Sequence, residues 1–187
     1  MSQTFKLNLL LIGLLVIVGL DQYTKWLVIN HEPFNAMACL ENPRICGKIE
    51  LSQVFDLSMV WNRGISFGTL QSEGIFRWIL FGFQGLIAGF FTLWYLIQKR
   101  MNQLDLEPIE RRMTGFALVL VISGAVGNMI DRARFGAVVD FLDFSGLGFF
   151  PWVFNVADAA VTVGAALLIL DFFLTWRKQR RAGEPLE

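Results

Sequence analysis

The chain has 187 residues, 55% hydrophobic and 17% charged, with a mean hydropathy of +0.52. A soluble domain carries about 25% charged residues, so the composition points to lipid. Its 16 basic and 16 acidic residues cancel, which leaves no net charge to attract nucleic acid. The length suits one domain, residues 1–187. Two cysteines, Cys39 and Cys46, are too few for a disulfide framework. Facing an oxidising compartment they would pair with each other; otherwise they are two free thiols in a loop.

A spanning helix needs about 20 largely apolar residues, and four segments meet or approach this. The first, about 7–29, runs from Leu7 through Leu20 and continues past Asp21 and Lys25 to Ile29. No small-x-small cleavage site follows the apolar core, so it reads as a retained span rather than a cleaved signal peptide. The loop at about 30–75 is too long for a mere link. Within it, Lys48 to Trp61 is rich in β-branched and aromatic residues that partly alternate, which predicts one or two short strands lying on the membrane surface. The second span, about 76–97, is interrupted by Gln84 and Thr92. The third covers about 114–131. The loop at about 132–151 ends in the apolar, glycine-containing stretch Phe141–Pro151, which predicts a short interfacial helix. The fourth span, about 152–176, carries Asp158 and Asp171. The fold class is thus an all-α membrane protein of four transmembrane helices with one or two short strands, or a small sheet, on the membrane surface and a short interfacial helix.

Basic residues orient the spans. Lys99, Arg100, Arg111 and Arg112 crowd the link between spans two and three, Arg177, Lys178, Arg180 and Arg181 form the tail, and Lys6 precedes span one. Both termini are therefore expected in the cytoplasm, and these charges are read as topology signals rather than binding patches. Trp26, Trp61, Trp78 and Trp152 are expected to be interfacial anchors.

On this topology the ionisable and amide residues at membrane depth, which are functional candidates by default, gather at one boundary. They are Asp21, Lys25, Asn62, Asn128, Asp131, Arg132, Asp140, Asn155 and Asp158. Asn128 and Asp131 share a helix face, as do Asn155 and Asp158, and Gly124 and Gly127 allow close helix approach. Two carboxyls in a low-dielectric site share one proton, the state that peptide hydrolysis needs: the carboxylate takes a proton from water while the acid protonates the scissile carbonyl. Asp140 and Asp158 suit this because each enters from a different element. The bland alternative is that these aspartates cap helices or pair with Arg132 and Lys25. Gly64-Ile-Ser66-Phe-Gly68 matches G-x-S-x-G but lacks a strand-turn-helix context, and His31 is the sole histidine available as its base. H-E-x-x-H is absent after His31-Glu32, and no Walker A or dinucleotide pattern occurs. Nothing calls for a metal or a cofactor.

The ordered set Leu20-Asp21-Gln22 with Lys25, Trp61-Asn62-Arg63-Gly64 with Phe67-Gly68, Gly124-x-x-Gly-Asn-x-x-Asp-Arg132, Val139-Asp140-Phe141 and Phe154-Asn155-x-Ala157-Asp158 resembles bacterial lipoprotein signal peptidase (signal peptidase II). The resemblance implies a multi-pass inner-membrane aspartyl peptidase of four transmembrane helices with a small periplasmic β-cradle, a short periplasmic interfacial helix and its site near the periplasmic face; a monomer can house the whole site. It would cleave prolipoproteins just before a diacylglyceryl-modified cysteine, among membrane lipids, and bind globomycin-type inhibitors. It places Asp140 and Asp158 on the catalytic dyad. Asn62, Gly64, Asn128, Arg132, Asn155 and Ala157 become substrate-binding or dyad-supporting residues, and Asp21, Lys25 and Asp131 structural neighbours. Arg132 and Asn128 are expected to hold the Asp140 loop or to contact backbone, and Asn155 to orient Asp158. The loop from Asn35 to Gly47 is longer than a minimal family member would need. A small proton-coupled transporter or a membrane adaptor with structural aspartates are the competing classes; broken or repeated helices, the transporter signature, are not visible.

Overall fold

The computed structural model describes residues 3–31, 34, 45–63, 78–79, 82–90, 92–93 and 108–182. Gly64, the G-x-S-x-G stretch, the pairing of Cys39 with Cys46, and the basic pair Lys99 and Arg100 lie outside the described residues. Three long helices, α1 (Gln3–Ile29), α2 (Pro108–Phe135) and α3 (Val156–Ala182), carry a sheet of four strands, β1 (Ile45–Glu50), β2 (Asp56–Asn62), β3 (Val138–Asp143) and β4 (Val153–Phe154). Each of the three helices contains a stretch long and apolar enough to cross a membrane: Asn8–Ile29, Met113–Phe135 and Val156–Lys178. Residues 82–90 of the second expected span are helical, as are 78–79 and 92–93.

The helices pack through small residues. A Cβ added at Gly124 would collide with the carbonyl oxygen of Ala157, and one at Gly164 would lie 2.7 Å from the carbonyl oxygen of Ala117. Such approach, which only glycine permits, seats α3 directly on α2. The outward faces of α1 and α3 remain apolar and exposed, with Leu11, Ile12 and Leu15 on one and Ile169 and Phe172 on the other. Side chains of that kind face hydrocarbon at no cost.

The ends of the helices set the site. Helix α2 stops where Gly136 adopts a left-handed φ of 74° and donates its N–H to Arg132 O at 3.1 Å. This glycine cap turns the chain straight into β3. The sheet is antiparallel throughout, in the order β1-β2-β3-β4, so strands from the two expected outer loops form one surface. Its core, Met59, Trp61, Ala137, Val139 and Phe141, closes over Val28 of α1 and Phe34.

Several expectations are sharpened. The two strands of the first loop are present, but the second loop supplies two more, and Asp140 sits on a strand rather than in a loop. The expected interfacial helix shrinks to a single 3-10 turn, Ser145–Leu147. The last helix begins at Val156, not near 152, because Val153 and Phe154 pair with Asp143 and Leu142 in the sheet. Trp61 is buried in the core and meets Phe135 edge-on at 5.4 Å, so it is no interfacial anchor. Trp26, Trp78 and Trp152 are exposed.

Candidate active site

At the sheet end of the helices an ion cluster and an amide cluster merge. Lys25, one turn after Asp21, is buried with its Nζ 2.8 Å from both Asp21 Oδ2 and Asp131 Oδ2. Burying charge is costly unless every partner is present, and here the remaining valences are filled. Asp21 Oδ1 accepts the N–H of Ala157 at 2.8 Å, Asp131 Oδ2 accepts the N–H of Val139 at 3.2 Å, and Gln22 donates to Asp131 Oδ1 at 2.9 Å and to Gly127 O at 3.2 Å. One cluster thereby ties α1 to the C-terminal end of α2, to β3 and to the first turn of α3. Gly127 is required here because a Cβ would lie 2.5 Å from Asp21 Oδ2, and Ala157 stays small because it abuts the same glycine.

The amides form the next layer. Asn128 accepts from Lys25 Nζ at 3.2 Å and donates to Asp158 Oδ1 at 2.8 Å. Asn155 precedes α3 as its N-cap: its Oδ1 accepts the Asp158 N–H at 2.8 Å, and Asp158 Oδ2 faces the Asn155 N–H at 3.4 Å. This reciprocal capping box fixes the Asp158 carboxyl against the helix start. The Nδ2 of Asn155 then reaches across to Asp140 Oδ1 at 2.6 Å, with Val139 O and Asn128 Oδ1 each at 3.2 Å. Asn62, on the neighbouring strand, donates to Asp140 Oδ2 at 2.9 Å.

Asp140 and Asp158 are thus bridged by one asparagine and feel each other's charge. Burial first, and the Asp158 charge second, push the Asp140 carboxyl well above the ordinary carboxylate range. The Asn62 and Asn155 amides and the distant Lys25 charge pull it back only in part. A carboxyl raised in this way beside a second carboxyl is the arrangement that acid–base chemistry on a bound carbonyl calls for. Among the described residues no cluster of His, Cys, Asp and Glu could hold a metal ion.

Asp21, Lys25, Asn62, Asn128, Asp131, Asp140, Asn155, Ala157 and Asp158 all converge through these contacts. The expected division of labour changes, however. Asp131, not Arg132, holds β3, through the Val139 N–H, while Asn128 turns to Asp158. Arg132 donates to Gln84 at 2.8 Å and lies within electrostatic reach of both Asp140 and Asp158. Gln84 and Gln22 were passed over by sequence reasoning as participants. Their signal was available: each is a polar side chain interrupting or ending an apolar run, where interhelical hydrogen bonds are the common use. Asp171 belongs elsewhere, accepting from Thr114 at 2.6 Å, thirteen residues down α3 from Asp158.

Known proteins carry the same pattern. A family profile described as Signal peptidase (SPase) II matches residues 13–174. The chain is 38% identical to the lipoprotein signal peptidase of Caulobacter vibrioides over 164 residues, covering 86% of this chain and 83% of that one. It is 37% identical to that of Brevibacillus brevis, covering 88% and 95%. A bacterial membrane enzyme solved by the in meso method at 2.3 Å shares the fold with a TM-score of 0.69 at 23% identity, over 96% of this chain and 94% of that one. With the profile spanning most of the chain and relatives this similar over nearly their full lengths, the chain belongs to the signal peptidase II family.

Proposed function

We propose that this peptidase is an aspartyl endopeptidase that cleaves the signal peptide from diacylglyceryl-modified prolipoproteins just before the lipidated cysteine, with Asp140 and Asp158 activating the water. Family membership and relatives named lipoprotein signal peptidase support peptidase activity on lipoprotein signal peptides. The observation that carries the aspartyl mechanism is the bridge itself: two carboxyls from separate elements, β3 and the head of α3, held by the single side chain of Asn155. The hydrogen bonds that hold them come from the amides of Asn62, Asn128 and Asn155.

In the reaction the carboxylate accepts a proton from water as the water oxygen bonds to the scissile carbonyl carbon. The acid gives its proton to the carbonyl oxygen, producing a tetrahedral diol. The C–N bond then breaks as a proton passes to the leaving nitrogen and the diol returns one to the dyad, which regains its single shared proton. Asn62, Asn128 and Asn155 keep the carboxyls in register; Arg132 and Ala157 shape the surroundings. Lys25, Asp21 and Asp131 lock the helices beneath.

The location follows the same reading. Helices α1 and α2 both reach the site with their C-terminal ends and α3 with its N-terminal end. A return crossing between α1 and α2, supplied by the stretch around Gln84, makes four spans. With the basic tail inside, both termini are cytoplasmic and the dyad faces the periplasmic side of the bacterial inner membrane. The enzyme acts as a monomer among membrane lipids, and globomycin-type inhibitors occupy the dyad pocket.

The test uses purified Asp140→Asn and Asp158→Asn proteins on a diacylglyceryl-modified prolipoprotein. Both should lose activity while keeping the wild-type helical spectrum and thermal transition, and unmodified prolipoprotein should not be cut by the wild type. Wild-type turnover in either variant would sink the dyad.

A further inference from the structure

We infer that Asp158 is the member of the pair held as the carboxylate, that Asp140 carries the shared proton, and that Lys25, acting through the amide of Asn128, is the positioning residue that fixes this division. The inference rests on the aspartyl-peptidase reading above and adds to it a polarity.

The reasoning starts from what each group is able to do. An ammonium only donates, and the Lys25 Nζ meets three acceptors: Asp21 Oδ2, Asp131 Oδ2 and Asn128 Oδ1. Beside that cation the Asn128 amide must present its oxygen, so its nitrogen faces the other way, to Asp158 Oδ1 at 2.8 Å. An amide nitrogen also only donates, so this Asp158 oxygen must accept. The second Asp158 oxygen faces the Asn155 backbone N–H at the start of a 27-residue helix, where the positive end of the peptide dipoles favours an anion. Asp140 lies on a strand with no helix end behind it. Its donors are two neutral side-chain amides, and it is more deeply buried than Asp158. Of the two, Asp140 is the costlier place to keep a charge, in line with the upward push that burial gives its carboxyl.

Among the described residues, the other charged groups around the pair are Arg132 and the Lys25 trio, and the Lys25 charge acts through space on Asp140. Arg132 of α2 reaches both electrostatically. From α1 and α2, Lys25 is flanked by two carboxyls, Asp21 and Asp131, so the trio has no surplus positive charge to hold Asp158 ionised through space. The influence of Lys25 on Asp158 therefore runs through the orientation of Asn128. Without that cation only Asn155 Nδ2, at 3.2 Å, still holds the Asn128 oxygen, and the amide turns over more readily to offer its oxygen, which only a protonated Asp158 satisfies.

The experiment is the pH profile of kcat on diacylglyceryl-modified prolipoprotein. The acid limb reports loss of the carboxylate and the alkaline limb loss of the shared proton. Asn128→Ala should move the acid limb upward by about one pH unit and leave the alkaline limb in place. Lys25→Met should move the acid limb by as much and raise the alkaline limb less, through the lost Lys25 charge on Asp140, while Lys25→Arg restores the wild-type profile. In the double variant the acid limb should move no further than in Asn128→Ala alone. Asn128→Ala leaves the Lys25 trio whole, so the test survives if Lys25→Met does not fold. A reduced kcat with both limbs unmoved would make the role merely structural, an alkaline limb moved in place of the acid limb by Asn128→Ala would reverse the assignment, and a further shift of the acid limb in the double variant would mean that Lys25 acts directly on Asp158. Full activity in Asp140→Asn or Asp158→Asn would instead remove the aspartyl reading itself, whatever the limbs do.

Discussion

Strand β3 carries two aspartates, Asp140 and Asp143, three residues apart and so on opposite faces. Both are buried, and each lies near a second carboxyl: Asp158 for Asp140, and Asp56, its cross-strand partner, for Asp143. In the outer pair a lysine intervenes. Lys48 Nζ lies 2.6 Å from Asp56 Oδ2 and 4.0 Å from Asp143 Oδ2, and Asp143 also accepts from the Ser58 hydroxyl at 2.6 Å and the Ser145 N–H at 2.8 Å. Burial raises the Asp143 carboxyl, but the Ser145 and Ser58 hydrogen bonds and the Lys48 charge outweigh it and hold it below its ordinary value. The Asp56 carboxylate correspondingly raises Lys48. In the inner pair the contacts are neutral amides, and Asp140 moves the opposite way. Two neighbouring carboxyls are thus not in themselves a reactive site. With hydroxyl, N–H and lysine partners Asp143 is held down as an anion; with amides in their place Asp140 is pushed up.

The largest effect should come from exchanging the two residues in experiment. Asp140→Asn is expected to lower turnover by about 100-fold or more, the scale of a lost general acid or base, whereas Asp143→Asn should leave turnover within about threefold of wild type. Their stability signatures should also be opposite. A carboxyl raised on folding binds its proton more tightly in the folded state, so Asp140 weakens the fold as pH rises through and above the ordinary carboxylate range. Asp140→Asn should therefore gain more thermal stability over wild type at pH 8 than at pH 4. Asp143, lowered on folding, contributes stability above its ordinary value that is lost as pH falls through its folded one. Equal pH dependence in the two variants would erase the contrast.

Next in size is the charge trio under the dyad. Asp21→Ala removes one carboxylate from buried Lys25 and strands the Ala157 N–H, so it should cost about 3–5 kcal/mol, read by denaturation in detergent. Asn62→Ala deletes a donor to Asp140 that favours its ionised form. The alkaline limb of activity should rise by about half to one pH unit, and a fall would contradict the amide-for-cation distinction. The smallest effect is Ser58→Ala. It should cost about 1 kcal/mol at neutral pH and move acid unfolding to higher pH without changing the activity profile, because the outer pair takes no part in the chemistry.

Much of this molecule was legible before its structure. Apolar run length announces the helices, since lipid forces backbone polar groups into internal hydrogen bonds. The motif residues Asp21, Lys25, Asn128, Asp131, Asp140, Asn155 and Asp158 were all recognisable as polar groups too costly to be accidental at a membrane boundary. The short-range chemistry was also encoded locally: Asn155 and Asp158 at the spacing of a capping box, and Gly136 where α2 had to stop.

Partner choice was not legible. No local rule predicts that Asn155 would donate to Asp140 rather than stop at its own helix, that Gln84 would take Arg132, or that Asp131 would grip Val139. The fourfold sheet that carries Asp140 joins segments more than seventy residues apart, and its register depends on packing over Val28 and Phe34 rather than on either strand alone. Sequence by itself determined which groups are too polar to be placed idly and that long apolar helices hold them. Only the tertiary structure decided which carboxyl meets an amide and which meets a lysine, because that depends on distances of a few ångströms between elements remote in the chain.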